Sequence, residues 1–203
     1  MMDARIYLAS RSPRRRELLN QIGVRFDLLL FRGGERQDPE TNEDVQPGER
    51  AADYVLRVAQ AKAMHALTLM HLRRLVPRIA LSADTTLEVD GEIVGKPADA
   101  DEAAAILRCL SGRSHTVLTA VAVADGERSD LVMSSSEVRF RRLDDAEIHR
   151  YVLSGEPMDK AGAYGIQGRA AMFIEEIRGS HSGIVGLPLC ETALLLRHFG
   201  YPI

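Results

Sequence analysis

The sequence predicts an α/β fold, and three observations predict it. Short apolar runs with strand character alternate along the whole chain with segments whose apolar residues recur at helix spacing. The chain opens on a strand that passes through a tight turn into a helix start. In mid-chain a second apolar run leads to Ser82, Asp84 and Thr85, and ligand sites of α/β proteins lie beyond the C-terminal ends of such strands. With 203 residues and 22.4 kDa the chain can bury a sizeable core, as one domain or two small lobes. A net charge of −3 and a pI near 6.1 argue against a general binder of nucleic acid or membrane surfaces. Cys109 and Cys190 stand in no metal-ligand spacing and read as buried or semi-buried thiols of a reducing compartment. No signal peptide and no bilayer-spanning run is expected, which points to a soluble, cytoplasmic protein.

Taken in order, residues 6–9 form the first strand. Ser12 is a good N-cap and Pro13 suits the first helical position, because its missing N–H would have had no partner there. Leu18, Leu19 and Ile22 carry the helix and Gly23 stops it. Arg14, Arg15 and Arg16 fill its first turn, where the macrodipole already favours anions. A bound phosphate chain would resolve that conflict by taking the helix N–H groups, the Ser10 and Ser12 hydroxyls and the guanidinium forks. A solvated basic turn accounts for these residues equally well. Residues 24–31 read as a strand, and Gly33-Gly34-Glu35 leads into an acidic surface loop over 38–48. A helix spans about 49–69, with Ala52, Val55, Val58, Ala59 and Ala66 on one stripe and Lys62 among them, either snorkelling to solvent or reaching a cleft. The basic segment 65–77 either continues the helix or forms a loop.

Residues 79–86 form the buried strand that ends in Ser82, Asp84 and Thr85. Asp90-Gly91 turns residues 87–89 onto 93–94 as a hairpin, and Lys96 follows on backbone stiffened by Pro97. A helix covers 101–110 with Gly112 beyond it. Strands cover 116–124 and 131–140, the second wet on one face. His115, just before the first of these, reads as structural. Asp144 or Asp145 caps a helix ending near Gly155. The stretch 159–168 holds Gly162, Gly165 and Gly168, a composition suited to close backbone approach, and Gln167 offers a donor and an acceptor on one side chain. Such an amide reads a base edge or is simply solvated. Residues 171–177 read as a strand, and 184–188 open a final helix with Leu189, Ala193, Leu194 and Leu196 on its buried face.

Ala9-Ser10-Arg11-Ser12-Pro13-Arg14-Arg15, Ala83-Asp84-Thr85, Gly95-Lys96-Pro97, Ser111-Gly112, the run from Asp159 to Gly168 and Val185-Gly186-Leu187-Pro188-Leu189 stand in the order and spacing of the Maf family. The chain resembles its nucleoside triphosphate pyrophosphatases, and the Ala-Gly-Ala-Tyr-Gly-Ile-Gln-Gly form resembles the branch acting on dTTP and UTP. The resemblance implies an elongated mixed sheet flanked by helices, with two lobes around a central cleft, formed by 1–203 as a single domain. It implies cleavage of a nucleoside triphosphate to the monophosphate and pyrophosphate. Asp84 matches the proton acceptor. Lys62 and Lys96 neutralise developing charge, and Ser10, Ser12, Arg14 and Arg15 clamp the phosphates. Gln167 and Thr85, with Arg14, match the positions tied to base choice. A divalent cation is implied, Mg²⁺ first and Mn²⁺ second, with Glu35 and Asp84 as ligands. Family members are often homodimers.

This sequence departs from the family at Gly33-Gly34, where more acid usually stands, and at His181, where an aromatic is usual. Its loops 38–48 and 65–77 are longer. Two other readings remain: a pyrophosphatase for other or modified nucleotides such as 7-methyl-GTP, and a non-catalytic nucleotide-binding regulator of septum formation.

Overall fold

The computed structural model describes residues 5–31 and 42–203. β1 (Ile6–Leu8) leads into α1 (Pro13–Gln21), where the Ser12 hydroxyl accepts from the Arg15 N–H at 3.4 Å and so takes one of the helix's unpaired donors. β2 (Phe26–Leu28) is shorter than the expected 24–31, although the chain stays beside β1 through Leu29 N–H to the Leu8 carbonyl at 3.0 Å. α2 (Ala51–Leu72) is the longest helix described, and the basic segment after His65 continues it to Leu72. Its buried stripe is rich in alanine, which lets the helix lie close on the sheet. The contact is tight enough for the Ser82 hydroxyl to donate to the Ala59 carbonyl at 2.6 Å.

β3 (Ala80–Val89) turns into β4 (Glu92–Val94) through Asp90 and Gly91, both at positive φ as a two-residue hairpin requires. α3 (Ala100–Leu110) begins one residue before the expected start and is capped by Asp99. β5 (Ser114–Ala124) and β6 (Ser129–Phe140) follow. α4 (Asp145–Val152) starts on a capping box between Asp144 and Glu147. β7 (Ile174–Arg178), α5 (His181–Val185) and α6 (Leu189–His198) complete the order.

Four expectations are corrected. Residues 171–177 are not one strand: Arg169–Phe173 is a 3₁₀ turn, because Ala170 and Phe173, three apart, must both face the core, where Phe173 meets Tyr151 and Phe140. The final helix is broken at Gly186, at φ +127, before Pro188. The restart changes the phase of α6, so Thr192, Leu195 and Leu196 are buried and Leu194 is exposed. Asp84 does not end its strand, which runs on to Val89. Both cysteines are exposed.

The sheet is mixed, in the order β2-β1-β3-β5-β6-β7, with β4 attached to β3. β1 is parallel to β2 and β3, and the remaining pairs are antiparallel. One buried cluster joins β1 to α1 and α6, a second joins α3 and α4 to the far ends of β3, β5 and β6, and a third lies under α2. β5 pairs with β3 along nearly its full length, so β1 and β4 share the opposite edge of β3. β1 last pairs at Leu81 and β4 first pairs at Leu87. Among the described residues no strand fills that edge between them. The sheet therefore has a notch beside Asp84 and Thr85, and the first two clusters form the lobes on either side. Among the described residues no helix is long and apolar enough to cross a membrane.

Candidate active site

The notch opens into a cleft of about 1010 Å³. The N-terminal turn of α1 forms one wall, and Lys96 and the glycine-rich stretch form another. Successive strand residues point to opposite faces. Asp84 therefore joins Ser82 on the α2 face, and Thr85 lies on the face covered by α5. The notch lets both reach the same cleft.

On the α2 face, Lys62 stands one helical turn beyond Ala59, the residue that anchors Ser82. Its ammonium lies 2.9 Å from Asp84 Oδ1 and 2.5 Å from Glu43 Oε1. Lys62 therefore does not snorkel to solvent; its side chain and that of Asp84 are mostly buried. Glu43 belongs to a loop that reads from sequence as solvated acid. The loop is held down by α2: the Tyr54 hydroxyl donates to the Glu43 carbonyl at 3.0 Å. Arg57 donates to the Glu49 carboxylate at 2.6 and 2.8 Å and to the Asp44 carbonyl at 3.0 Å. Partial burial works to raise the Glu43 pKa, but the charge and hydrogen bond of Lys62, with Lys96 and Arg15 behind, hold it below the ordinary value.

On the opposite face Arg15 is held by neutral acceptors. Its Nε donates to the Gly186 carbonyl at 2.8 Å, Nη1 to Ser10 Oγ at 3.3 Å and Nη2 to Thr85 Oγ1 at 3.2 Å. Burial pulls the Arg15 pKa down, aided by the charge of Arg14, and Asp84 and Glu43 offset this only in part. A guanidinium has five N–H donors, so two remain for an anion. Ser10 and Ser12 act as acceptors toward protein, Ser10 from Arg15 and the Ser12 N–H and Ser12 as the helix cap. Each keeps its own O–H proton for an anion.

Arg14, Lys96 and Gln167 line the cleft with no hydrogen bond or ion pair to other described residues. Gln167 is exposed on a turn closed by Gly168 N–H to the Gly165 carbonyl at 3.0 Å. Side chains pack closely on its glycines: a Cβ on Gly168 would lie 2.0 Å from Glu156 Oε1, and one on Gly165 would lie 2.8 Å from Lys160 Cε, so either would displace the end of that side chain. His115 is buried beneath this stretch, its Nε2 2.8 Å from the Tyr164 hydroxyl, and takes no part in the cleft.

The structure thus brings Ser10, Ser12, Arg14, Arg15, Lys62, Asp84, Thr85, Lys96 and Gln167 to one cleft. Glu35 lies outside the described residues. Glu43 escaped the sequence reading because nothing in a polar, proline-containing loop separates one acid from its neighbours. Asp84 and Glu43 meet on one ammonium, so their carboxylates lie close together. A hard divalent cation held by one or two carboxylates, with substrate oxygens and water, fits that donor set. Among the described residues no group of three or more His, Cys, Asp or Glu side chains is placed to hold a metal.

The family model described as Maf-like protein matches residues 5–199. The protein named dTTP/UTP pyrophosphatase of Aromatoleum aromaticum is 64% identical over 203 residues, covering 100% of this chain and 98% of that protein. Proteins of the same name from Dechloromonas aromatica and Chromobacterium violaceum are 60% identical over 197 residues and 51% identical over 201. The alignments cover 97% and 99% of this chain and 98% of each relative. Among solved structures the Staphylococcus aureus Ham1 protein aligns at a TM-score of 0.44 and 13% identity, covering 67% of this chain and 71% of that one.

Proposed function

The chain belongs to the Maf family, and from that premise we propose that it is a nucleoside triphosphate pyrophosphatase acting on dTTP and UTP, releasing the monophosphate and pyrophosphate. One observation carries the mechanism: Asp84, at the sheet notch and held by Lys62 from α2, lines the same cleft as a helix N-terminus that carries Arg14 and Arg15. The triphosphate lies against that N-terminus, with its oxygens on the free donors of Arg14 and Arg15 and on the Ser10 and Ser12 hydroxyls. Asp84 accepts the proton of the attacking water. Lys62 fixes the Asp84 carboxylate and, with Lys96, offsets the charge that gathers on the phosphates in the transition state. Gln167 meets the pyrimidine edge, where a carbonyl and an N3–H call for both a donor and an acceptor.

A divalent cation, Mg²⁺ before Mn²⁺, supplies further charge neutralisation on the phosphate oxygens when bound. Asp84 and Glu43 would hold it, and Glu35 is the other candidate. We read residues 1–203 as one domain acting on a free nucleotide in the cytoplasm.

The test is pyrophosphate release, in Mg²⁺, from the common ribo- and deoxyribonucleoside triphosphates and 7-methyl-GTP, with Asp84→Asn as control. Release from dTTP and UTP, with turnover lost about 10²- to 10⁴-fold in the variant while nucleotide still binds, is the expected result. Release from 7-methyl-GTP or purines instead would keep the Asp84 mechanism and overturn the substrate assignment. No release with either Mg²⁺ or Mn²⁺ would overturn the enzymatic reading.

A further inference from the structure

Arg15 owes its posture to a chain of hydroxyls whose far end lies outside the cleft. Thr85 stands directly opposite Thr119 in the β3–β5 register, and their Oγ1 atoms are 2.9 Å apart. That contact alone leaves open which hydroxyl donates. Thr119 Oγ1, however, also lies 2.8 Å from the Gly183 carbonyl, and a carbonyl can only accept. A hydroxyl has one proton, so Thr119 gives its own to Gly183. Thr85 must then donate to Thr119, which leaves it only acceptor capacity toward Arg15. The guanidinium is donor only, so the chain has one direction throughout: Arg15 to Thr85, Thr85 to Thr119, Thr119 to Gly183. The reverse order would spend the Thr119 proton on Thr85 and leave the Thr119 oxygen lone pairs facing those of the Gly183 carbonyl at 2.8 Å.

Both ends of this arrangement reach one short segment. Arg15 Nε donates to the Gly186 carbonyl at 2.8 Å, and the hydroxyl chain terminates three residues earlier. Thr119 is fully buried and does not line the cleft.

We propose that Thr119 is a positioning residue for the phosphate clamp. By fixing Thr85 as an acceptor it holds the Arg15 fork in place before the anion arrives, and Thr85 acts through that same chain instead of reading the base. The advantage is preorganisation, since a fork already oriented loses less freedom on binding. The inference rests on the reading of the cleft as a triphosphate site.

The experiment measures binding of inorganic pyrophosphate by calorimetry, alongside dTTP turnover, for wild type, Thr119→Val, Thr119→Ser, Thr85→Val and the Thr85→Val/Thr119→Val double variant. Thr119→Val keeps the shape and removes the acceptor that orients the Thr85 hydroxyl, so the Thr85 oxygen is no longer held with a lone pair toward Arg15. About tenfold weaker pyrophosphate binding is expected, the scale of one weakened hydrogen bond, with a matching rise in the dTTP KM and kcat within about threefold. Thr119→Ser keeps the hydroxyl and should bind within about twofold of wild type. The double variant should bind no more weakly than Thr85→Val alone, because Thr119 acts through Thr85.

Wild-type binding in Thr119→Val, failure of serine to rescue, or a full Thr119 effect in the Thr85→Val background would each overturn the proposal. If Thr119→Val does not fold, Thr119→Ser carries the test alone, and a tenfold loss there overturns it. Wild type that turns over dTTP beside an unaffected Thr119→Val refutes this inference and leaves the enzymatic reading standing. Wild type that binds pyrophosphate without hydrolysing any nucleotide does the reverse, provided Thr119→Val weakens the binding. Wild type that binds no pyrophosphate overturns the inference.

Discussion

Lowering the pH from 7 to 4 should destabilise this protein largely through one imidazole. His115 is 3% exposed, packed edge-on against Phe140 and Tyr164, with Nε2 on the Tyr164 hydroxyl and Nδ1 buried with no hydrogen-bond partner among the described residues. Burial pushes its pKa from 6.5 down to about 4. The folded state therefore binds fewer protons than the unfolded chain between those values, and the resulting stability is whole above pH 6.5 and is lost as pH falls toward 4. At about 1.36 kcal/mol per pKa unit the loss reaches roughly 2 kcal/mol at pH 5 and roughly 3 kcal/mol at pH 4. That is a large share of the about 5–15 kcal/mol typical of a domain. The Glu49 and Glu147 carboxyls, both held down to about 2, contribute only below about pH 4.5, so most of the histidine window is clear of them. Urea denaturation at half-unit steps from pH 7 to pH 4 would be compared between wild type and His115→Gln, whose amide can still meet Tyr164 but does not titrate. The wild-type curve should fall away from the variant's by those amounts. Parallel curves over the window would refute the reasoning.

Other expectations concern single contacts. Gly162→Ala places a Cβ 2.4 Å from Leu87 Cδ1 at φ +72, and should lower stability by about 1–3 kcal/mol in a urea midpoint shift. Gln167→Ala should bring the dTTP, UTP and purine triphosphate rates closer together; an unchanged ratio would remove Gln167 from base reading. Arg57→Ala frees Glu49 and the Asp44 carbonyl, so limited proteolysis within 42–49 should speed up severalfold, and cleavage at the wild-type rate would show that Arg57 does not hold the loop.

Much of the fold was legible because local rules agreed with it. Ser12-Pro13 announced α1, Asp90-Gly91 announced the hairpin, and the stripe of small residues announced the face of α2. The failures came where neighbours in space overruled neighbours in sequence. Residues 169–173 look β-like, yet Ala170 and Phe173 reach the core only if the chain coils. Leu194 has the right chemistry for a core position, but Gly186 and Pro188 restart the helix in another phase. At the site, motif residues could be named individually, whereas what they do to one another could not. Nothing in the sequence pairs Thr85 with Thr119, sets Glu43 on Lys62, or reveals that Asp84 sits mid-strand beside a gap left by short neighbours. Those facts depend on register, and register is a property of the assembled sheet.

The bond from Arg15 to the Gly186 carbonyl joins groups 171 residues apart. During synthesis at roughly 5–20 residues per second, the arginine emerges on the order of ten seconds to half a minute before its acceptor is made. Through that interval β1, α1 and the central strands can form, but the clamp has no anchor. A nascent chain, or one ending before α5, lacks that anchor and also the α6 side of the cluster on which β1 and α1 pack. The clamp is anchored only once Gly186 has been made.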